Sequence, residues 1–148
     1  MSTGSREPDR APDALQRVLV VDDDDEMRAL LDDVLTEEGY EVEPAANGAE
    51  ALIRLRTESF AAIILDKNMP GLSGLDLLPG LRTICPETPV ILITAFGDVS
   101  TYVEAMDKGA FEHVFKPFRM EELLQVLRRA RAPAGRIAPA AMTPGAAQ

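Results

Sequence analysis

The sequence predicts a doubly wound α/β fold, a five-stranded parallel sheet covered by helices on both faces. Three observations predict it. Three short apolar runs rich in Val and Ile fit strands with both faces buried. Two further strand candidates mix polar with apolar residues and belong at sheet edges. Helical patterns separate the strands in strict β-α alternation.

In chain order, Val18-Leu19-Val20-Val21 is the first strand, apolar without alternation. Met27, Leu30, Leu31, Val34 and Leu35 then keep the i, i+3, i+4, i+7, i+8 spacing of a helix, with Gly39 as its C-terminal stop. Tyr40-Glu41-Val42-Glu43 is the first edge strand, and Ala51, Leu52 and Leu55 mark the second helix. Ala61–Leu65 is the next buried strand. Leu75, Leu77 and Leu78 mark a third helix that Pro79-Gly80 should shorten or kink. Val90–Ile93 is the fourth strand. Asp98 caps a fourth helix that carries Tyr102, Val103 and Met106 and ends at Gly109. Phe111–Phe115 is the second edge strand, and Met120, Leu123, Leu124 and Leu127 mark the last helix.

Composition narrows the function. Fifteen Lys and Arg stand against 25 Asp and Glu, a net charge of −10, so direct nucleic-acid binding through phosphate neutralisation is not expected. A single Cys excludes an internal disulfide or a cysteine zinc cluster and points to a reducing compartment. The first residues lack the apolar stretch of a signal peptide, and no run approaches the ~18 residues of a membrane span. A cytoplasmic protein with no membrane partner is the expectation. Residues 1–16 are polar, and residues 132–148 hold seven Ala, three Pro and two Gly, so both ends are expected to be disordered. One domain over 17–131 remains, and it carries the whole net charge.

Ligands of such sheets sit beyond the carboxyl ends of the strands. Asp22 to Asp25 follow the first strand, Asp66 and Lys67-Asn68-Met69-Pro70-Gly71 the third, Thr94-Ala95 the fourth, and Lys116-Pro117 the fifth. Acids, a hydroxyl and a lysine thus meet at one edge. Crowded carboxylates repel, so a divalent cation is their natural neutraliser, and an all-oxygen set with few protein ligands favours Mg²⁺. A carboxylate can also be the nucleophile of phosphoryl transfer, with the ammonium and hydroxyl serving the added oxygens.

The segments VLVVDDDDEMRALL, IILDKNMPGLSGLDLL, VILITA and HVFKPF together resemble the receiver domain of two-component response regulators, over about 17–131. The resemblance implies a flavodoxin-like sheet of strand order 2-1-3-4-5, which agrees with edge positions for strands 2 and 5. It implies Asp66 as phosphoacceptor, with Mg²⁺ held by Asp22, Asp23, Asp66 and the backbone carbonyl of Asn68, Asp23 being the more direct ligand of the pair. It gives Thr94, Ala95 and Lys116 to the phosphoryl group, the switch to Thr94 and His113, and a cis peptide to Pro117. The implied donor is a sensor histidine kinase or a phosphotransfer protein. The output is expected on the face of helix 4, strand 5 and helix 5, towards a downstream protein target or a homodimer formed on phosphorylation. With only the Ala/Pro-rich tail after the domain, a stand-alone receiver without enzyme activity beyond its own phosphorylation and slow autodephosphorylation is expected.

Plainer readings stand beside these. Asp24 and Asp25 suit the N-terminus of a helix, Cys85 suits a small packing position, and Asp32, Asp33, Glu37 and Glu38 suit a solvated helix face. His113 stands where the family usually has an aromatic residue that swings inward, and it reads equally well as a half-exposed edge-strand residue. Two other classes stay open. One is a receiver-like scaffold that works without phosphate. The other is a haloacid-dehalogenase-type phosphohydrolase built on Asp22-Asp23-Asp24, although Asp66 and its turn would then have no role.

Overall fold

The computed structural model describes residues 16–69, 71, 73–95 and 99–130. The expectations for both termini, the Asp98 cap and Pro70 lie outside the described residues. The elements run β1 (Arg17–Val21), α1 (Asp25–Glu37), β2 (Glu41–Ala45), α2 (Gly48–Thr57), β3 (Ala62–Asp66), α3 (Gly74–Ile84), β4 (Val90–Ala95), α4 (Val99–Asp107), β5 (Glu112–Lys116) and α5 (Met120–Ala130). The strands pair in the order β2-β1-β3-β4-β5, all parallel, as the sequence predicts.

Alternation of side chains along each buried strand splits the core in two. Leu19, Val21, Ile63, Leu65 and Leu92 face one side, where Leu55 of α2, Leu78 and Leu81 of α3 and Ala105 of α4 cover them. Val18, Val20, Ile64, Ile91, Ile93 and Val114 face the other, under Leu31 and Leu35 of α1 and Leu123 and Leu127 of α5. A strand with apolar residues at every position is what two covered faces require. The edge strands differ for the same reason: β2 reads exposed, half-buried, half-buried, exposed, buried along Glu41–Ala45.

Strand and helix ends follow local chemistry. Strands 2, 3 and 5 begin one residue later than the apolar pattern suggests, and β4 runs on through Ala95, because pairing continues past the apolar residues to the polar site. Helix α1 closes with Gly39 at φ 98°, its N–H bonded to the Thr36 carbonyl and the Tyr40 N–H to Leu35, and Gly109 closes α4 in the same way.

One expectation is corrected. Pro79 does not shorten α3, which continues for 11 residues to Ile84. Its ring lies on the exposed side of the helix, where it has room, and the ladder loses a single N–H. Among the described side chains of α4, Thr101 and Ala105 are buried, whereas Tyr102 and Val103 are 40% and 54% exposed. Small residues four apart let this helix lie close to the sheet.

Candidate functional site

Parallel pairing brings the carboxyl ends of the strands to one edge, and register decides which residues meet there. Val21 pairs with Leu65, so Asp22 stands one step beyond, level with Asp66. Asp66 pairs with Ile93, Thr94 with Phe115, and Ala95 with Lys116. Carboxylate oxygens of Asp22, Asp23 and Asp66 all lie within 4.8 Å of one another. Asp22 and Asp66 are buried and Asp23 is exposed. Lys116 Nζ stands 3.5 Å from Asp66 Oδ1. The Asn68 backbone N–H points at that same oxygen from 3.4 Å, long for a hydrogen bond. Ala95 is exposed at the end of β4, and the Lys116–Pro117 peptide is cis, as the resemblance implies.

The β1–α1 turn is fixed by its own polar groups. The Asp24 N–H donates to Asp22 Oδ1 at 2.9 Å, and Asp24 caps α1 by accepting from the Glu26 and Met27 N–H groups. Arg28 donates to the Asp22 carbonyl at 2.6 Å and pairs with Asp25. Asp24 and Asp25 are therefore employed at the helix terminus, as the plainer reading expects. The Asp-x-Asp spacing of Asp22 and Asp24 is not gathered into the cluster, and among the described residues no strand follows Lys116, only α5. Both points weigh against the phosphohydrolase.

Burial dominates the electrostatics of the two inner acids. Desolvation pushes Asp22 up to about 6 from an ordinary 3.8, aided by the Asp66 and Asp23 charges and opposed by the Asp24 N–H and Lys116. Desolvation likewise raises Asp66, although Lys116 and the Asn68 N–H pull it down. Two buried carboxylates held above their ordinary range beside an exposed third fit a hard divalent cation of the Mg²⁺ kind. The donors are all oxygen, and the positive charge reverses the penalty for ionising them.

Sequence reasoning missed two residues and misjudged a third. A Cβ on Gly74 would lie 2.6 Å from the Asp66 carbonyl oxygen and 2.9 Å from Lys67 Cα, so only glycine lets α3 start directly against the end of β3. The signal was present as a glycine behind the capping Ser73. Arg28, three residues after Asp25 at the start of a helix, was the second. The half-exposed reading of His113 is corrected: the side chain is 6% exposed, and its Nε2 lies 2.7 Å from Thr94 Oγ1. Alternation puts Thr94, His113 and Phe115 on the face that α4 covers, which is why an edge strand can bury an imidazole.

Comparison with known proteins agrees with this geometry. The family model for the response regulator receiver domain matches residues 18–128. Regulatory protein AtoC of Escherichia coli (strain K12) is 38% identical over 117 residues, which cover 79% of this chain and 25% of that protein. Sporulation initiation phosphotransferase F of Bacillus subtilis (strain 168) is 33% identical over 114 residues, covering 77% of this chain and 92% of that protein. The receiver domain of NtrX from Brucella abortus superposes with a TM-score of 0.74 at 34% identity, covering 77% and 97% of the two chains. The chain spans only about a quarter to under half the length of several curated relatives, AtoC among them. The family match runs from the second residue of β1 into the last turn of α5 and leaves no element of the sheet outside it: the chain belongs to the response regulator receiver domain family of two-component systems.

Proposed function

We propose that this receiver takes a phosphoryl group onto Asp66 from a phosphohistidine of a sensor kinase or phosphotransfer protein, in the cytoplasm, and signals through protein contact. The observation that carries the reading is the Asp66 carboxylate, buried among Asp22, Asp23 and Lys116 at the carboxyl edge of the sheet. An Asp66 oxygen attacks phosphorus, and the P–N bond breaks with its electron pair leaving on the donor imidazole. Lys116 and the Thr94 hydroxyl serve the incoming oxygens, and the small Ala95 leaves them room. Receiver domains generally bind Mg²⁺ at an acidic pocket. Here Asp22, Asp23, Asp66 and the Asn68 carbonyl would hold it, supplying positive charge for carboxylate and phosphoryl oxygens.

The donor has to cover the rim of this cleft. An apolar groove of about 510 Å³ lies there, lined by Met27, Leu30, Pro117, Phe118 and Met120 beside Lys116, and suits an apolar helix face of the donor. On the far side, Tyr102 and Val103 leave α4 with exposed apolar surface. That supports an output through α4, β5 and α5, towards a target protein or a second copy joined on phosphorylation.

The test is phosphorylation by acetyl phosphate or phosphoramidate with Mg²⁺, read by intact mass beside Asp66→Ala. One Mg²⁺-dependent phosphoryl group, absent in the variant, is expected. No gain with any donor would turn the reading to a phosphate-independent scaffold. A gain that survives Asp66→Ala would move the nucleophile to Asp22.

A further inference from the structure

We infer that Arg28 is a positioning residue for the cation: through the Asp22 carbonyl it fixes the peptide that leads into Asp23, and so holds the Asp23 carboxylate within the cluster. The inference rests on Asp22, Asp23 and Asp66 as the Mg²⁺ site and adds a residue that sets how tightly the site takes the ion.

Asp23 is exposed, so its place beside Asp22 and Asp66 is set by its backbone rather than by packing. Both peptides that flank it are anchored. The Asp22 carbonyl and the Asp23 N–H share one planar peptide, and Arg28 Nη1 donates to that carbonyl at 2.6 Å. The Asp23 carbonyl and the Asp24 N–H share the next, and that N–H donates to Asp22 Oδ1 at 2.9 Å. The roles in the first bond are fixed, because a guanidinium only donates and a carbonyl only accepts. Arg28 is itself held at the start of α1, where its backbone N–H bonds to the Asp24 carbonyl at 3.0 Å and its side chain pairs with Asp25. The first turn of a helix thereby grips the peptide that follows β1. Charge and positioning predict opposite signs for the loss of this grip. A guanidinium beside the cluster repels a second cation, so by charge alone its removal would tighten Mg²⁺ binding. If Arg28 instead orders Asp23, its removal leaves the ion to order that residue on binding, and binding weakens.

The test uses the full chain and Mg²⁺ alone, with calorimetry for affinity and NMR relaxation of the Mg²⁺-free chain for backbone order. Arg28→Met keeps a long side chain and removes both the charge and the donors, and it should weaken Mg²⁺ binding about five- to tenfold. The order parameters of the Asp23 and Asp24 amides should fall from about 0.85 to below about 0.6. In an Asp23→Asn background the same change should no longer weaken binding, since the residue that Arg28 positions has lost its charge. Unchanged or tighter binding by Arg28→Met, unmoved order parameters, or an equal loss in the Asp23→Asn background would overturn the proposal. If Arg28→Met does not fold, relaxation of the unaltered chain decides: Asp23 and Asp24 amides as ordered as those of β1 support the proposal, and mobile ones overturn it. Mg²⁺ binding that ignores Arg28 rejects the role of Arg28 only and leaves phosphorylation of Asp66 to its own test. An unaltered chain that binds no Mg²⁺ overturns this proposal together with the site it rests on.

Discussion

Replacing Gly74 with alanine separates two opposing effects whose sizes the structure sets. Alanine is the better helix former by about 1 kcal/mol, so propensity alone favours the change. The added Cβ, however, would lie 2.6 Å from the Asp66 carbonyl oxygen. Carbon–oxygen contacts settle at roughly 3.3–3.6 Å, so the atoms have to separate by about 0.7–1.0 Å. Asp66 O and Lys67 Cα are both backbone, so no rotamer change relieves the clash. Either α3 or the end of β3 moves, at a cost of about 1–3 kcal/mol. A displacement of that size at the proposed phosphoacceptor should also slow phosphorylation by about ten- to a hundredfold. Gly80, in the same helix, is the control, because a Cβ there meets nothing within 4 Å. Urea unfolding should show Gly74→Ala destabilised and Gly80→Ala unchanged or up to about 1 kcal/mol more stable. Phosphoramidate labelling followed by mass should show only the first variant slowed. Equal stability of the two variants would refute the reasoning.

Three further outcomes follow from the same geometry. Asp22→Asn should stabilise the Mg²⁺-free chain at pH 7 by up to about 3 kcal/mol, since the carboxyl is raised from 3.8 to about 6. The folded state then binds its proton more tightly than the unfolded chain, so stability falls as pH rises from about 4 to about 6, and the gain from Asn should vanish in urea titrations near pH 4. Arg28→Ala removes the donor that grips the Asp22 carbonyl, so calorimetry should show Mg²⁺ bound several-fold more weakly and stability reduced by about 1–3 kcal/mol. Leu78→Ala, at a fully buried position of α3, should cost about 2–5 kcal/mol, while Val103→Ala on exposed α4 surface stays within about 0.5 kcal/mol by thermal or urea unfolding.

The legible parts of this fold are those in which one residue's chemistry decides one outcome. Val18–Val21 and Val90–Ile93 read as strands because only a sheet covered on both faces buries every side chain of such runs. Asp22, Asp66 and Lys116 read as a site because parallel strands deliver all their carboxyl ends to one edge. Other features depend on a neighbour that the local pattern does not name. The buried face of α4 is not legible locally, because Thr101 and Ala105 pack through small size, while the more apolar Tyr102 and Val103 face outward. The Thr94–His113 bond needs the β4–β5 register, in which Leu92 pairs with His113 and Thr94 with Phe115. Gly74 needs the distance between a helix start and a strand end that are eight residues apart in the sequence.

Burial and charge pull Asp66 in opposite directions, and the proposed chemistry needs both. Desolvation raises the carboxyl and outweighs Lys116 at 3.5 Å and the Asn68 N–H. A carboxylate whose pKa is raised is a better nucleophile once ionised, because basicity and nucleophilicity rise together. It is also less often ionised, and Lys116 offsets that. Three carboxylates against one ammonium leave the cluster at −2, and turning one carboxylate into an acyl phosphate of about −1.5 to −2 makes it more negative still. Lys116 cannot balance that sum, and Arg28 is turned to the Asp22 carbonyl and Asp25 instead. The proposed transfer would therefore call for a divalent cation at this cluster. An aspartate on the open surface would ionise freely but lack the raised basicity, while one buried without Lys116 would hold its proton. Asp66 lies between these cases because the end of β3 is buried and the end of β5 brings an ammonium to it.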